Sequence, residues 1–189
     1  LNFLTHYDIT GLIADAKQYH DSSGDFFNEV PIRNINRAPA YSFILFIFYK
    51  IVGFDLHRAL VLQVLILSLI PVFTFYLCQN IFDKSTAYIA TTSTALSQEL
   101  IFFSGVPYVG EMAAFFLLGM VLWLVILIKR NSTKISIVFG FFMGWSILLN
   151  GALAPLIILV LLPLANLPDR IQKWKTLTFY FLGFLGAQF

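Results

Sequence analysis

The chain has 189 residues, of which 59% are hydrophobic and only 12% are charged. Because soluble domains carry about 25% charged residues, this composition, with a mean hydropathy of +0.82, excludes an ordinary soluble protein. The net charge of +2 is small and the basic residues are dispersed, which excludes a nucleic-acid-binding surface. The apolar residues form long runs, which indicate an all-α polytopic membrane protein built as a multi-span helical bundle.

Residues 1–59 precede the first long apolar run and form a predicted outer loop with short helices at the membrane surface. The stretch 41–54 is apolar but short, and Lys50 interrupts it, so it predicts a helix at the interface rather than a span. The stretch 8–20 has helical spacing, and its apolar stripe consists of Ile9, Leu12, Ile13 and Ala16.

Two carboxylates, Asp8 and Asp15, are seven residues apart and therefore stack on one face of that predicted helix. Asp8 suits the first turn of a helix, where acidic residues are common, so we interpret it as structural. The helix can rest on the membrane surface and present Asp15 sideways into a cleft. From the spacing alone, Asp15 is either a functional residue or a solvated carboxylate.

Arg37 lies just before Pro39, which marks the start of the next helix. An arginine at a helix N-terminus close to the bilayer can form a fork of hydrogen bonds to a phosphate. An arginine that extends to lipid headgroups accounts for the position equally well. The spacing of His6 and His20 is not a metal-ligand pattern, and we interpret both as surface or interface histidines.

Five further runs predict membrane-spanning helices within residues 60–189, and a sixth begins near residue 177. Their predicted ranges are 60–82, 86–104, 111–128, 135–149, 152–166 and 177–189. Asn150-Gly151 suits a tight turn, so the fourth and fifth runs predict a hairpin. Both ends of the sequence look cut, and we expect either a signal peptide or a first membrane helix before Leu1.

The loop charges predict the orientation of these spans. Lys and Arg occur in the predicted loops 83–85, 129–134 and 167–176, whereas 105–110 and 150–151 contain none. The positive-inside rule then assigns the first three loops to the cytoplasm. Parity assigns residues 1–59 to the outer side, which is periplasmic in a bacterial inner membrane or its equivalent.

Four short motifs occur in an order that resembles the GT-C superfamily of membrane glycosyltransferases. The likeness is to the dolichyl-phosphate-mannose-protein mannosyltransferase and aminoarabinose-transferase-like families. The motifs are Asp15-Ala16-Lys17-Gln18-Tyr19-His20; Gly24-Asp25 with Arg37-Ala38-Pro39-Ala40-Tyr41 and Lys50-Ile51-Val52-Gly53; Gly110-Glu111; and Gly144 with Leu148-Leu149-Asn150-Gly151 and Pro155.

This resemblance implies transfer of a sugar from a polyprenyl-phosphate donor to a protein, lipid or glycan acceptor on the outer face. It implies that Asp15 is the catalytic base and that Arg37 and Glu111 contact substrate. Tyr19 is expected to line the cleft, with an interface-belt tyrosine as the alternative, and Tyr108 to shape it from the facing loop. For Glu111 the alternative is a helix-capping carboxylate. The resemblance does not settle whether a divalent metal takes part, and no metal ligands are assigned.

The chain departs from the family pattern at two places. Ala38 replaces the first proline of the usual pair, and Asn150-Gly151 stands where a basic residue and proline are usual. A catalytically inactive relative is therefore one alternative. A transporter or flippase of a lipid-linked substrate is another, but it would carry ionisable residues at mid-bilayer. Here Gln63 is the main polar residue inside an early span, and the carboxylates collect at the outer face, which favours the transferase.

Overall fold

The computed structural model describes residues 14–28, 39–130 and 132–151, and these form α-helices joined by short turns without any β-strand. In chain order the eight helices of these ranges are α1 (Ala14–Phe27), α2 (Pro39–Val52), α3 (Leu56–Leu67), α4 (Leu69–Ile81), α5 (Lys84–Ala95), α6 (Gln98–Ser104), α7 (Val109–Arg130) and α8 (Thr133–Leu149). The predicted spans 152–166 and 177–189 lie outside the described residues.

Two helical stretches of the described ranges are long and apolar enough to cross a membrane. α3 and α4 together form the 26-residue stretch Leu56–Ile81, and α7 is the second, with 22 residues. At 1.5 Å per residue, α7 is about 33 Å long, close to the roughly 30 Å of a hydrocarbon core. α2 and α8 are apolar but shorter.

The first of these stretches begins four residues before the predicted start at residue 60, because Asp55 caps it. The Asp55 carboxylate accepts hydrogen bonds from the backbone N–H groups of His57, at 2.9 Å, and Arg58, at 3.3 Å. Gly53 precedes the cap at φ 86°, a left-handed conformation that glycine adopts without steric cost. This turn separates the short apolar helix α2 from α3.

The predicted run 86–104 is not one continuous helix. It divides into α5 and α6 at Leu96 and Ser97, and the Ser97 hydroxyl accepts a hydrogen bond from the Leu100 backbone N–H at 3.4 Å. The preceding sequence is rich in threonine and serine, whose hydroxyls compete for backbone groups. The prediction of one continuous helix over residues 86–104, which was made from the apolar run, was therefore wrong.

The centre of the bundle is a cluster of aromatic rings between α4, α7 and α8. Phe73 stacks on Phe115 at a centroid distance of 5.3 Å, and Phe116 stacks on Trp145 at 5.6 Å. The Phe142 ring lies within 5.9 Å of Phe73, Phe115 and Phe116. Gly119 leaves the space on α7 that this ring occupies, since a Cβ there would lie 2.3 Å from Phe142 Cδ1.

We expect Gly119→Ala to destabilise the protein, although alanine favours an isolated helix by about 1 kcal/mol over glycine. The added methyl group would displace the Phe142 ring, which its aromatic neighbours confine, and overpacking of this kind costs about 1–3 kcal/mol. Thermal unfolding of the purified protein in detergent measures the change in Tm.

The matched control is Gly105→Ala, because a Cβ at Gly105 would meet its nearest atom at an ordinary 3.8 Å. This variant is expected to unfold within a degree or two of the wild type. An unchanged or raised Tm for Gly119→Ala would contradict the packing described for α7 and α8.

Candidate functional site

Helix α1 carries two of the predicted site residues, one turn apart. Asp15 is the second residue of the helix as described, and Tyr19 follows four residues later on the same side of α1. Tyr19 is buried, with 4% of its surface exposed, which is not the environment of an interface-belt tyrosine. Its ring packs edge to face on Tyr41 of α2 at a centroid distance of 4.9 Å.

A second contact holds α1 on α2. His20 Nδ1 lies 2.7 Å from the Tyr49 hydroxyl, and the imidazole packs beside the Phe54 ring at 5.5 Å. Burial lowers the pKa of His20 from its usual 6.5, with the charge of Asp21 acting in the opposite direction. Burial also raises the pKa of Tyr49 to about 12. At neutral pH both groups are therefore uncharged, and the partly buried His20 contributes to the packing of α1 on α2.

Tyr41 lies at the centre of the site and is completely buried. Its hydroxyl donates a hydrogen bond of 2.5 Å to Gln63 Oε1. Burial raises the pKa of Tyr41 well above 10, and the charges of Tyr49, Tyr19 and Glu111 act in the same direction, against a backbone hydrogen bond from Tyr108. The phenol therefore stays protonated and remains a donor.

Gln63 uses its whole amide group to tie α3 to the segment that follows α6. The side chain is fully buried, and Nε2 donates to the backbone carbonyls of Ser104, at 2.9 Å, and Val106, at 2.8 Å. The two carbonyls lie at the end of α6 and in the turn leading to α7. Gln63 thus fixes the position of the segment that carries Tyr108. This segment leads into α7, whose first turn contains Glu111.

Glu111 lies in the first turn of α7, where a helix favours negative charge. Only 9% of the residue is exposed, and its Oε2 atom has no hydrogen-bond partner among the described residues. A carboxylate desolvated in this way is costly unless it serves a ligand or a pairing partner. Among the described residues, Glu111 is therefore not a capping carboxylate with both oxygens hydrogen-bonded.

Tyr108 stands at the open edge of the site, with 38% of its surface exposed. Its ring lies beside Phe103 at a centroid distance of 5.3 Å and also covers Gly110. A Cβ at Gly110 would lie 2.6 Å from Tyr108 Cε1, so glycine is required for this ring position. Tyr108 therefore forms an aromatic wall next to Glu111.

The structure brings Tyr19, Tyr108 and Glu111 together around Tyr41. The Asp15 position precedes Tyr19 by one turn of α1. Arg37 lies outside the described residues, as do Asp8, His6 and the N-terminal part of the apolar stripe. The roles assigned to Asp15, Arg37, Glu111, Tyr19 and Tyr108 remain predictions. Within residues 14–28, 39–130 and 132–151, no three His, Cys, Asp or Glu residues form a group that could hold a metal ion.

Two residues that organise the site were not predicted as site residues. Tyr41 was noted only as part of a motif, and Gln63 only as a polar residue inside a span. The sequence did contain a feature that could have identified Gln63 as an organising residue. A glutamine in an apolar helix must find partners for both the oxygen and the nitrogen of its amide. The partners themselves come from chain segments distant in sequence and could not be deduced from periodicity.

Residues 36–188 match the family model described as dolichyl-phosphate-mannose-protein mannosyltransferase. Comparisons with curated proteins and with solved structures gave no match. The matched segment covers α2 to α8, including Tyr41, Gln63 and Glu111, whereas α1 precedes it. Together with the apolar helices, this match makes the chain an integral membrane protein of the GT-C glycosyltransferase kind, and it belongs to the dolichyl-phosphate-mannose-protein mannosyltransferase family.

Proposed function

We propose that this chain transfers a sugar from a polyprenyl-phosphate donor to an acceptor on the outer face of the membrane, with Asp15 as general base. One observation carries the proposal. The buried series Tyr19, Tyr41 and Gln63 joins the helix that bears Asp15 to the turn that leads to Glu111. Two acidic positions distant in sequence therefore belong to one packed unit.

The reaction requires a base near the acceptor. An acceptor hydroxyl attacks the anomeric carbon, the bond from that carbon to the phosphate oxygen breaks, and the polyprenyl phosphate leaves with the bonding electrons. The hydroxyl proton passes to a carboxylate within hydrogen-bond reach, and we assign that carboxylate to Asp15. One such displacement inverts the configuration of the sugar.

The leaving phosphate gains negative charge, which a fixed cation stabilises. Arg37 precedes α2 by two residues and is the basic residue we assign to this phosphate, because a guanidinium can donate two parallel hydrogen bonds to it. Its position before an apolar interface helix suits a donor whose lipid stays in the bilayer.

Glu111 and Tyr108 are assigned to the sugar. The Glu111 carboxylate, whose Oε2 atom has no partner among the described residues, can accept hydrogen bonds from sugar hydroxyl groups, and the exposed ring of Tyr108 beside it offers an apolar surface. Tyr19 contributes to the site by packing its ring on Tyr41.

The site is proposed to face the periplasm or its equivalent. Glu111 lies in the first turn of α7, and Lys129 and Arg130 lie in the last turn. Since positively charged residues flank spans on the cytoplasmic side, this charge arrangement supports an outer location for the Glu111 end.

Asp15→Asn is expected to reduce sugar transfer by about 10²–10⁴-fold, the usual contribution of a general base. Asparagine keeps the shape of the side chain and removes its basicity, so donor binding is expected to persist. The measurement uses the full-length protein in membranes, with a radiolabelled polyprenyl-phosphate sugar as donor. Asp21→Asn is the matched control, because Asp21 is an exposed carboxylate on the same helix.

Normal transfer by Asp15→Asn would contradict the assignment of the base and direct attention to Asp8. Absence of transfer by the wild type with every polyprenyl-phosphate sugar, despite retained donor binding, would favour an inactive relative or a transporter. These outcomes separate an error in the residue from an error in the function.

Glu111→Gln is expected to lower transfer by about 10-fold or more, in proportion to the loss of a charged hydrogen bond of about 1.5–3 kcal/mol. The same change is expected to leave Tm unchanged or to raise it, because a buried carboxylate with an unpaired oxygen costs stability. Transfer assays and thermal unfolding of the same preparations test both signs. A variant that loses stability but keeps its transfer rate would show that Glu111 is a structural residue.

A further inference from the structure

A cavity of about 510 Å³ opens at the opposite end of the bundle from Glu111, between the C-terminal halves of α4 and α7 and the start of α8. Lys129 lines its mouth and follows Glu111 by 18 residues on α7, so the two ends are separated by about 27 Å of helix. The cavity is therefore distinct from the site proposed for sugar transfer.

The wall of the cavity is apolar and belongs to three helices. α4 contributes Val72 and Phe73, α7 contributes Leu122 and Ile126, and α8 contributes Ile135. Val72 is 43% exposed and the neighbouring Tyr76 is 51% exposed, so this wall is not closed by the described part of the chain. A surface of this kind accepts a hydrocarbon chain.

The mouth of the cavity is basic. Lys129 Nζ donates to the backbone carbonyl of Asn80, which fixes the ammonium group at the end of α4. Arg130 is exposed, and within the described ranges its guanidinium makes no hydrogen bond or ion pair. None of the described residues that line the cavity is acidic.

Asp83, the acidic residue that follows α4, forms no hydrogen-bonded ion pair with Lys129 or Arg130 at the mouth of the cavity. Its carboxylate accepts hydrogen bonds from the Ser85 backbone N–H, at 2.9 Å, and from the Thr86 hydroxyl, at 2.5 Å. Asp83 is thus committed to the start of α5. The donors of Arg130 remain available to an external anion.

Trp123 adds its ring to the wall of the cavity, whereas its indole N–H is buried within the protein and is not open to the cavity. The apolar wall and the basic mouth together suit a ligand with an apolar tail and an anionic head.

We propose that this cavity binds one anionic glycerophospholipid. Its acyl chain lies on the apolar wall, and its phosphate contacts Arg130 and Lys129. The depth agrees with this occupant, because Arg130 ends a span and so lies at the level of the headgroups. Basic pockets between membrane helices bind anionic headgroups by this combination of charge and apolar surface.

The test is native mass spectrometry of the full-length protein in detergent, titrated with phosphatidylglycerol or with phosphatidylcholine of the same acyl chains. Wild type is expected to bind phosphatidylglycerol about fivefold or more tightly than phosphatidylcholine, since one basic residue near an anionic headgroup contributes about 1 kcal/mol. This comparison needs no variant and cannot be confused with misfolding.

Arg130→Gln is expected to weaken phosphatidylglycerol binding about fivefold and to leave phosphatidylcholine binding unchanged. Lys134→Gln is the matched control, because Lys134 is an exposed lysine near the same end of the bundle that does not line the cavity. Ile126→Trp fills the cavity and is expected to abolish the tight binding of one lipid.

Three results would overturn the proposal. The first is equal affinity of the wild type for the two lipids. The second is an equal loss in Arg130→Gln and Lys134→Gln, which would indicate a diffuse surface charge. The third is unchanged binding in Ile126→Trp, which would place the lipid elsewhere and leave the cavity to another part of the chain.

Discussion

A glutamine amide inside an apolar helix must find partners for two donors and one acceptor, because water is absent there and each unpaired group is costly. Gln63 meets this requirement by accepting from Tyr41 and donating to two backbone carbonyls near residue 105. The constraint is strict, since moving any one partner leaves buried polar groups unpaired. It therefore fixes the relative positions of α2, α3 and the turn before α7.

The rest of the outer end depends on that arrangement. Tyr41 provides the surface on which Tyr19 packs. This contact holds α1 in place at a point one helical turn after Asp15. The turn held by Gln63 brings the Tyr108 backbone and Glu111 close to the same buried phenol. The proposed transfer needs a base and sugar-binding groups at fixed separations, and a buried polar network provides such rigidity.

The sequence predicted the helical class and the two long apolar helices, because apolar periodicity and run length determine these features directly. The sequence did not predict the break at Ser97, which lies inside a run that was predicted to be one continuous span. Hydroxyl groups disrupt a helix through local hydrogen bonds, and the length of an apolar run carries no information about them. Tyr19 and Glu111 were predicted from short motifs, and Tyr108 from its position on the loop that faces the proposed site. Gln63 and Tyr41 were not, because their partners come from contacts more than 20 residues apart.

The most direct measurement is a double-mutant cycle between Tyr41→Phe and Gln63→Met, with the rate of sugar transfer by the full-length protein as the readout. Phenylalanine removes only the hydroxyl group, and methionine keeps the length of the side chain without its amide. The account predicts that Tyr41→Phe slows transfer in the wild type but has no further effect beside Gln63→Met, a coupling of about 1 kcal/mol or more. Equal effects of Tyr41→Phe in the two backgrounds would contradict the claim that this hydrogen bond positions the site.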